Sequence, residues 1–171
     1  MPMSICRNLA RLAAGLTLLA GSLADAKPAE FSSRVAYPPL VAKLKASGGS
    51  PDRIIHVKHP ADLARLESGK RYKFVVDAHG QMAIAPLPAD ATSNEYVHPI
   101  LAGGGPVQTA GGIVVDHAAG KITHVVVDQD SKSYCPTSDS LAEAVHALTA
   151  AGVAESSIRR EDHPPQCAPP K

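Results

Sequence analysis

The sequence predicts an α+β fold: a small antiparallel sheet of about five strands, two or three packed helices and one C-terminal disulfide. Two pairs of strand-like segments are each joined by a short glycine-containing turn, which is typical of β-hairpins. Residues 138–151 repeat apolar side chains at the spacing of a helix that is buried on one face. Cys135 and Cys167 form an even pair in the part of the chain that we expect to be exported.

The first 26 residues have the pattern of a secretory signal peptide. Arg7 and Arg11 supply a positive start, and the apolar stretch that follows is too short to span a membrane. Ala24-Asp25-Ala26 is an A-x-A cleavage site. We therefore expect a mature chain that begins at Lys27 and works in the periplasm or outside the cell.

Cleavage at this site would leave a protein of almost zero net charge. Removing residues 1–26 lowers the number of lysines and arginines from 17 to 15 and of acidic residues from 16 to 15. Such a balance argues against nucleic acid as a partner and against a membrane surface held by basic charge. No later apolar stretch approaches the roughly 20 residues of a membrane span, so none is expected after cleavage.

The mature chain would keep two cysteines, because Cys6 is removed with the signal peptide. In an oxidising compartment this pair predicts a disulfide between Cys135 and Cys167. The bridge would hold a proline-rich tail at residues 164–171. The alternative is a thiol that binds a metal or acts as a nucleophile.

A single domain is predicted over residues 38–163, after a flexible lead-in at residues 27–37. The elements predicted in its first part are a helix that begins at Pro38 and ends before Gly48, a strand at 53–58, a helix from Pro60 to Gly69 and a hairpin over 71–85. In the hairpin, alternation places Tyr72, Phe74 and Val76 on one face.

The second part of the domain begins with a surface loop at 86–95. The segment 98–112, "HPILAGGGPVQTAGG", is predicted to cross the surface and lead into the sheet, held in place by His98. The elements predicted after it are a hairpin of strands 112–116 and 121–127, a helix at 138–151 with Ser140 and Glu143 as a capping box, and an edge strand in "SSIRRE".

The glycine run in this segment is a candidate binding loop, made of Gly103, Gly104 and Gly105 together with His98. It lacks the pattern of a phosphate loop, because the glycines lead into Pro106 and a strand instead of a helix. A flexible turn is the simpler interpretation.

A hydrolytic site is a second possibility, although the sequence has no G-x-S-x-G elbow to expose a nucleophile. Its candidate residues are His98 as base, Ser131 or Ser133 as nucleophile, Tyr134 beside them, and Asp128 or Asp130 as the orienting acid. The two aspartates, which lie at a strand end, would otherwise be solvated or loosely bound to a cation.

A metal site is the third possibility. His117 and His124 flank the turn of the second hairpin, and regular pairing would place both on the side of Ile113 and Val115. Two imidazoles suit zinc or copper, but the sequence offers no evident third ligand. No cofactor is predicted.

From about residue 72 to residue 161 the chain resembles a domain shared by plant calmodulin-binding IQ-motif proteins and some bacterial secreted or toxin-like proteins. That domain has a histidine, a loop of the pattern G-x-x-V-x-x-A-G-E, a strand, N-G-K-I, a second strand, S-G-H-Y-x-P and a helix. The matching positions here are His98, Gly105-Pro106-Val107, Ala110-Gly111, Gly120-Lys121-Ile122, Ser131, Tyr134, Pro136 and Leu141.

The chain departs from that pattern in its polar residues. Pro99 and Ile100 replace paired serines, Gly112 replaces the glutamate, and Lys132-Ser133 replace glycine and histidine. The resemblance therefore implies a shared fold with a depleted polar cluster, and no IQ motif is present.

From these observations we expect an exported, non-enzymatic protein that binds an unidentified protein or small molecule. The alternatives are a toxin- or effector-type hydrolase or transferase that uses His98 with Tyr134 and Ser133, and a histidine metal-binding protein.

Overall fold

A six-stranded sheet forms the centre of the protein in the computed structural model, which describes residues 27–89, 96–163 and Cys167. The strands are β1 (Ile55–Val57), β2 (Arg71–Asp77), β3 (Met82–Ile84), β4 (Val107–Ala118), β5 (Lys121–Asp128) and β6 (Ile158–Glu161). Their order across the sheet is β1-β3-β2-β4-β5-β6. All neighbours are antiparallel except β5 and β6, which are parallel. The predicted α+β class is confirmed, with one strand more than expected.

Four short helices accompany the sheet: α1 (Tyr37–Ala46), α2 (Pro60–Leu63), α3 (His98–Leu101) and α4 (Leu141–Ala150). The predicted helix after Pro38 is confirmed as α1, and it buries Leu44. The second helix is shorter than predicted, because α2 has a single turn before the chain bends. Among the described residues, no helix has the length and apolar character that crossing a bilayer requires.

The sheet separates two apolar cores. On one face α4 packs through Leu141, Ala144 and Leu148 against the side chains of the central strands, including Phe74 and Ile113. On the other face α1 and α3 cover a smaller core. This second core is built around these buried residues: Leu44, Val75, Tyr96, Ile100, Val107 and Tyr134.

The segment predicted to cross the surface is buried at its start. His98, Pro99, Ile100 and Leu101 form α3, and all four are buried. The expectation of a surface crossing is wrong here, because these apolar residues seal the second core.

Strand β4 begins five positions earlier than the predicted strand, at Val107 instead of Gly112. Glycines weaken a strand in isolation, which is why the sequence favoured a loop at Gly111 and Gly112. In the fold, β2 pairs with this part of β4, so that Val75 lies opposite Ala110 and Phe74 opposite Gly111.

The predicted capping box at the start of α4 is also wrong. Ser140 precedes the helix, but its hydroxyl donates to the Thr137 carbonyl at 2.6 Å and accepts from the Thr109 hydroxyl, whose Oγ1 lies 2.9 Å away. The side chain therefore connects the helix to β4 instead of capping the helix.

Both ends of the domain are attached to the sheet. The flexible lead-in was predicted over residues 27–37, but α1 already begins at Tyr37, and Phe31 exchanges two backbone hydrogen bonds with Val107. At the other end, Cys135 and Cys167 form the predicted disulfide, with their Cα atoms 5.8 Å apart. The predicted signal peptide at residues 1–26, and the tail except for Cys167, lie outside the described residues.

Candidate functional site

His98 is the centre of the predicted site, and the fold buries it. Its side chain lies between β4 and the turn that follows β5, and only 7% of the residue is exposed. Nε2 lies 3.0 Å from the Gly111 carbonyl oxygen, and Nδ1 lies 3.0 Å from Ser131 Oγ. Burial lowers the pKa of His98 to about 4, although the bond to Gly111 acts in the opposite direction. The imidazole is therefore neutral at pH 7.

The partners of His98 fix its tautomer. A carbonyl oxygen can only accept, so Nε2 carries the proton and donates it to Gly111. Nδ1 is then an acceptor, and the Ser131 hydroxyl donates to it. This is the orientation that a general base needs toward a serine nucleophile. However, Ser131 is only 3% exposed, and a neutral carbonyl takes the place of an orienting carboxylate.

Ser131, Ser133 and Tyr134 share one tight turn, but only Ser131 reaches His98. The turn is closed by the Cys135 N–H, which donates to the Ser131 carbonyl at 2.8 Å. The Tyr134 hydroxyl donates to the Gly105 carbonyl at 2.8 Å, and burial raises the pKa of this phenol. The Ser133 carbonyl accepts from the Arg34 N–H. These contacts tie the turn to α3 and to the N-terminal segment.

The glycine run lies beyond this cluster, and its Gly105 carbonyl accepts the hydrogen bond from Tyr134. Gly103 and Gly104 are exposed and adopt positive φ angles of 59° and 80°, which glycine tolerates best. A side chain at Gly104 would collide with the ring of Tyr37 in α1. The run therefore forms a tight turn that α1 packs against.

Asp128 does not orient His98 but accepts hydrogen bonds from Arg71. Arg71 Nε and Nη2 contact the carboxylate at 3.2 and 2.9 Å, and the N–H groups of Gly112 and Asp130 each donate to Oδ1 at 2.9 Å. Asp130 Oδ2 lies 3.3 Å from Arg71 Nη2. Burial by itself would raise the pKa of Asp128, but the hydrogen bonds from Asp130, Arg71 and Gly112 together hold it below its usual value.

The two glycines in β4 make room for these contacts. A Cβ at Gly111 would collide with the backbone carbonyl of Asp128, and a Cβ at Gly112 would collide with the Arg71 guanidinium. Sequence reasoning missed Arg71, because it looks like an ordinary first residue of a strand. The available signal was the pair of glycines inside a β-rich segment, which indicates a close approach by another group.

The two histidines proposed as metal ligands lie on opposite faces of the sheet. A register shift after Asp116 pairs His124 with Asp116 but pairs His117 with Ile122. Ile122 packs against the core under α4, and His117 Nε2 lies 2.9 Å from the Leu66 carbonyl. The expectation that both imidazoles share one side is therefore wrong. Within residues 27–89 and 96–163, no three histidine, cysteine or acidic side chains are grouped to hold a metal.

Comparison with other proteins assigns no family. The chain matches no protein-family model, no curated protein and no solved structure.

Proposed function

We propose that this protein is an exported, disulfide-bonded binding protein in which the His98 cluster is structural. One observation carries the proposal: both ring nitrogens of His98 have partners in the interior, and His98 and Ser131 are only 7% and 3% exposed. A catalytic pair must reach its substrate. Here both hydrogen bonds instead connect α3, β4 and the turn after β5.

Export is supported by two independent features. The leader pattern at residues 1–26 predicts cleavage before Lys27. The bridge between Cys135 and Cys167 is typical of proteins that mature in an oxidising compartment. Together they favour a periplasmic or secreted protein, and its near-neutral charge favours a protein or small molecule over nucleic acid.

A hydrolase that uses Ser131 and His98 is the second candidate. The observation in its favour is the 3.0 Å hydrogen bond from Ser131 Oγ to His98 Nδ1. It would require the turn at 131–135 to open, so that Ser131 becomes accessible. The disulfide at Cys135 opposes such an opening.

Three measurements on the oxidised protein test the proposal. Intact mass after export should show a chain that begins at Lys27 and is lighter by the two hydrogen atoms that oxidation of its two cysteines removes. A fluorophosphonate probe should leave Ser131 unlabelled. Capture of a partner from periplasmic and culture-supernatant fractions should persist in Ser131→Ala. Labelling of Ser131, or hydrolytic activity that Ser131→Ala abolishes, would establish the hydrolase instead.

A further inference from the structure

We propose that the partner is bound as an extended peptide segment, which adds to the open edge of β6 and places side chains in the groove between β6 and α4. The inference rests on the proposed binding function and names the surface that would perform it. It is carried by the sheet edge, by a groove of mixed polar and apolar lining beside that edge, and by a cation in the groove.

The open edge is the first observation. β6 is the last strand of the sheet, and it pairs with β5 on one side only. No other strand of the described residues covers its second side. Alternate N–H and C=O groups of an edge strand point outward, and an extended peptide can satisfy them by adding a strand.

The groove is the second observation. It has a volume of about 380 Å³ and lies between α4 and β6. Helix α4 forms one side of the groove, and β6 with the turn before it forms the other. The lining residues are Ala142, Val145, His146 and Thr149 from α4, Ile158 and Arg160 from β6, and Glu155 from the turn. Val145 is half-buried, unlike Leu141 and Leu148 of the same helix, because it faces this groove.

The cation is the third observation. Ile158 and Arg160 are two positions apart, so both point toward α4, whereas Arg159 and Glu161 point to the other face and pair with each other. Arg160 makes no ion pair or side-chain hydrogen bond with any described residue. The Arg160 guanidinium, which lies in the groove with Ile158 and has no acidic partner among the described residues, fits a carboxylate on the partner.

These positions define the chemistry of the partner. Every second side chain of an added strand points to the same face of the sheet. One residue of the peptide would therefore lie over Ile158 and Val145, and the residue two positions away would lie beside Arg160. The segment is therefore an aliphatic residue and an acidic residue separated by one position. A second copy of this chain fits poorly, because symmetric antiparallel pairing of two β6 edges would set Arg159 or Arg160 opposite its own copy.

Two ten-residue synthetic peptides with central Leu-Thr-Glu or Glu-Thr-Leu cover both strand directions, and a Leu-Thr-Lys peptide is the control. Fluorescence polarisation with the oxidised protein should show at least one acidic peptide binding at least tenfold more tightly than the lysine peptide. Arg160→Glu should reverse that preference. Arg53→Glu, which changes a cation in a different groove, should leave it unchanged.

Amide chemical shifts should move in β6 and α4, and Ala142→Phe, which fills the groove, should weaken binding at least tenfold. The edge site is wrong if neither acidic peptide binds, if Arg160→Glu changes nothing, or if the shifts appear at β1. Concentration-dependent dimerisation that Arg160→Glu abolishes would also overturn it. Continued capture of a partner by Arg160→Glu would refute this site alone, whereas labelling of Ser131 would refute the binding function.

Discussion

Ser131 Oγ donates a hydrogen bond to His98 Nδ1 across 3.0 Å of the protein interior. The bond requires a neutral imidazole, because a protonated ring has no acceptor to offer. It also joins the turn after β5 to α3, so protonation of one ring would loosen both elements. The stability of the fold should therefore depend on pH through His98.

We expect acidification to destabilise the protein between about pH 6.5 and pH 4. The pKa of His98 falls from 6.5 to about 4 on folding, so the unfolded chain binds more protons within this window. The stabilisation is complete above pH 6.5 and is lost as the pH falls, by about 3 kcal/mol in total. Urea unfolding at a series of pH values measures it. His98→Gln should flatten the slope, whereas His79→Gln, at an exposed turn, should not.

Removal of the Asp128 carboxylate should cost more than removal of its arginine. Asp128→Ala leaves the Gly112 and Asp130 N–H groups without their acceptor, at about 2–3 kcal/mol. Arg71→Ala should cost about 1 kcal/mol, because its side chain is 40% exposed and solvent screens the pair. A double-mutant cycle by chemical unfolding measures the coupling. Equal costs for the two single variants would contradict this account.

Gly112→Ala should destabilise only while Arg71 is present. The added methyl collides with the flexible guanidinium, so we expect a loss of about 1–2 kcal/mol in the wild-type protein and almost none in Arg71→Ala. Gly111→Ala should cost more in both backgrounds, because its methyl meets the backbone of Asp128. Gly105→Ala is the control, since its Cβ would make only an ordinary contact. A loss from Gly112→Ala that does not depend on Arg71 would refute this explanation.

Removal of the disulfide should lower the free energy of unfolding by about 3–4 kcal/mol, because the bridge closes a loop of roughly 30 residues in the unfolded chain. The double variant Cys135→Ser/Cys167→Ser, compared with the oxidised protein by urea unfolding, measures the loss. Reduction of the wild-type protein should give a similar value. A loss below about 1 kcal/mol would mean that the bridge constrains the unfolded chain little.

Glycine should replace Cys135 better than serine once the bridge is gone. Cys135 has a φ angle of 54°, a left-handed conformation that strains any residue with a side chain. Cys135→Gly/Cys167→Ser should therefore be about 0.5–1 kcal/mol more stable than Cys135→Ser/Cys167→Ser. Thermal unfolding of the two variants side by side checks this. The reverse order would indicate that the turn relaxes when the bridge is absent.

Local patterns predicted the elements that depend on alternation or helical spacing. The hairpin of β2 and β3, the helices α1 and α4 and the edge strand β6 all follow from residues that are close in sequence. The disulfide was predicted from the number of cysteines together with the expectation of export. Each of these features is decided mainly by its own segment.

The parts that could not be predicted depend on contacts between distant segments. The glycines at positions 111 and 112 of β4 leave room for Asp128 and Arg71. Both of these residues are distant from the glycines in the sequence, so a local pattern could not reveal the contacts. The opposite orientations of His117 and His124 result from one register shift. The hydrogen bond between His98 and Ser131 joins residues 33 positions apart, and neither segment alone indicates that both side chains are buried.

The parallel pairing of β5 and β6 has a consequence for the order of assembly. The chain leaves β5, passes through α4 and returns beside β5, so the pairing of β6 depends on the crossover that contains the helix. The antiparallel hairpins need no such detour. We expect β6 to be the last strand to form and the first to detach under stress, which would make its exposed edge a reversible attachment point.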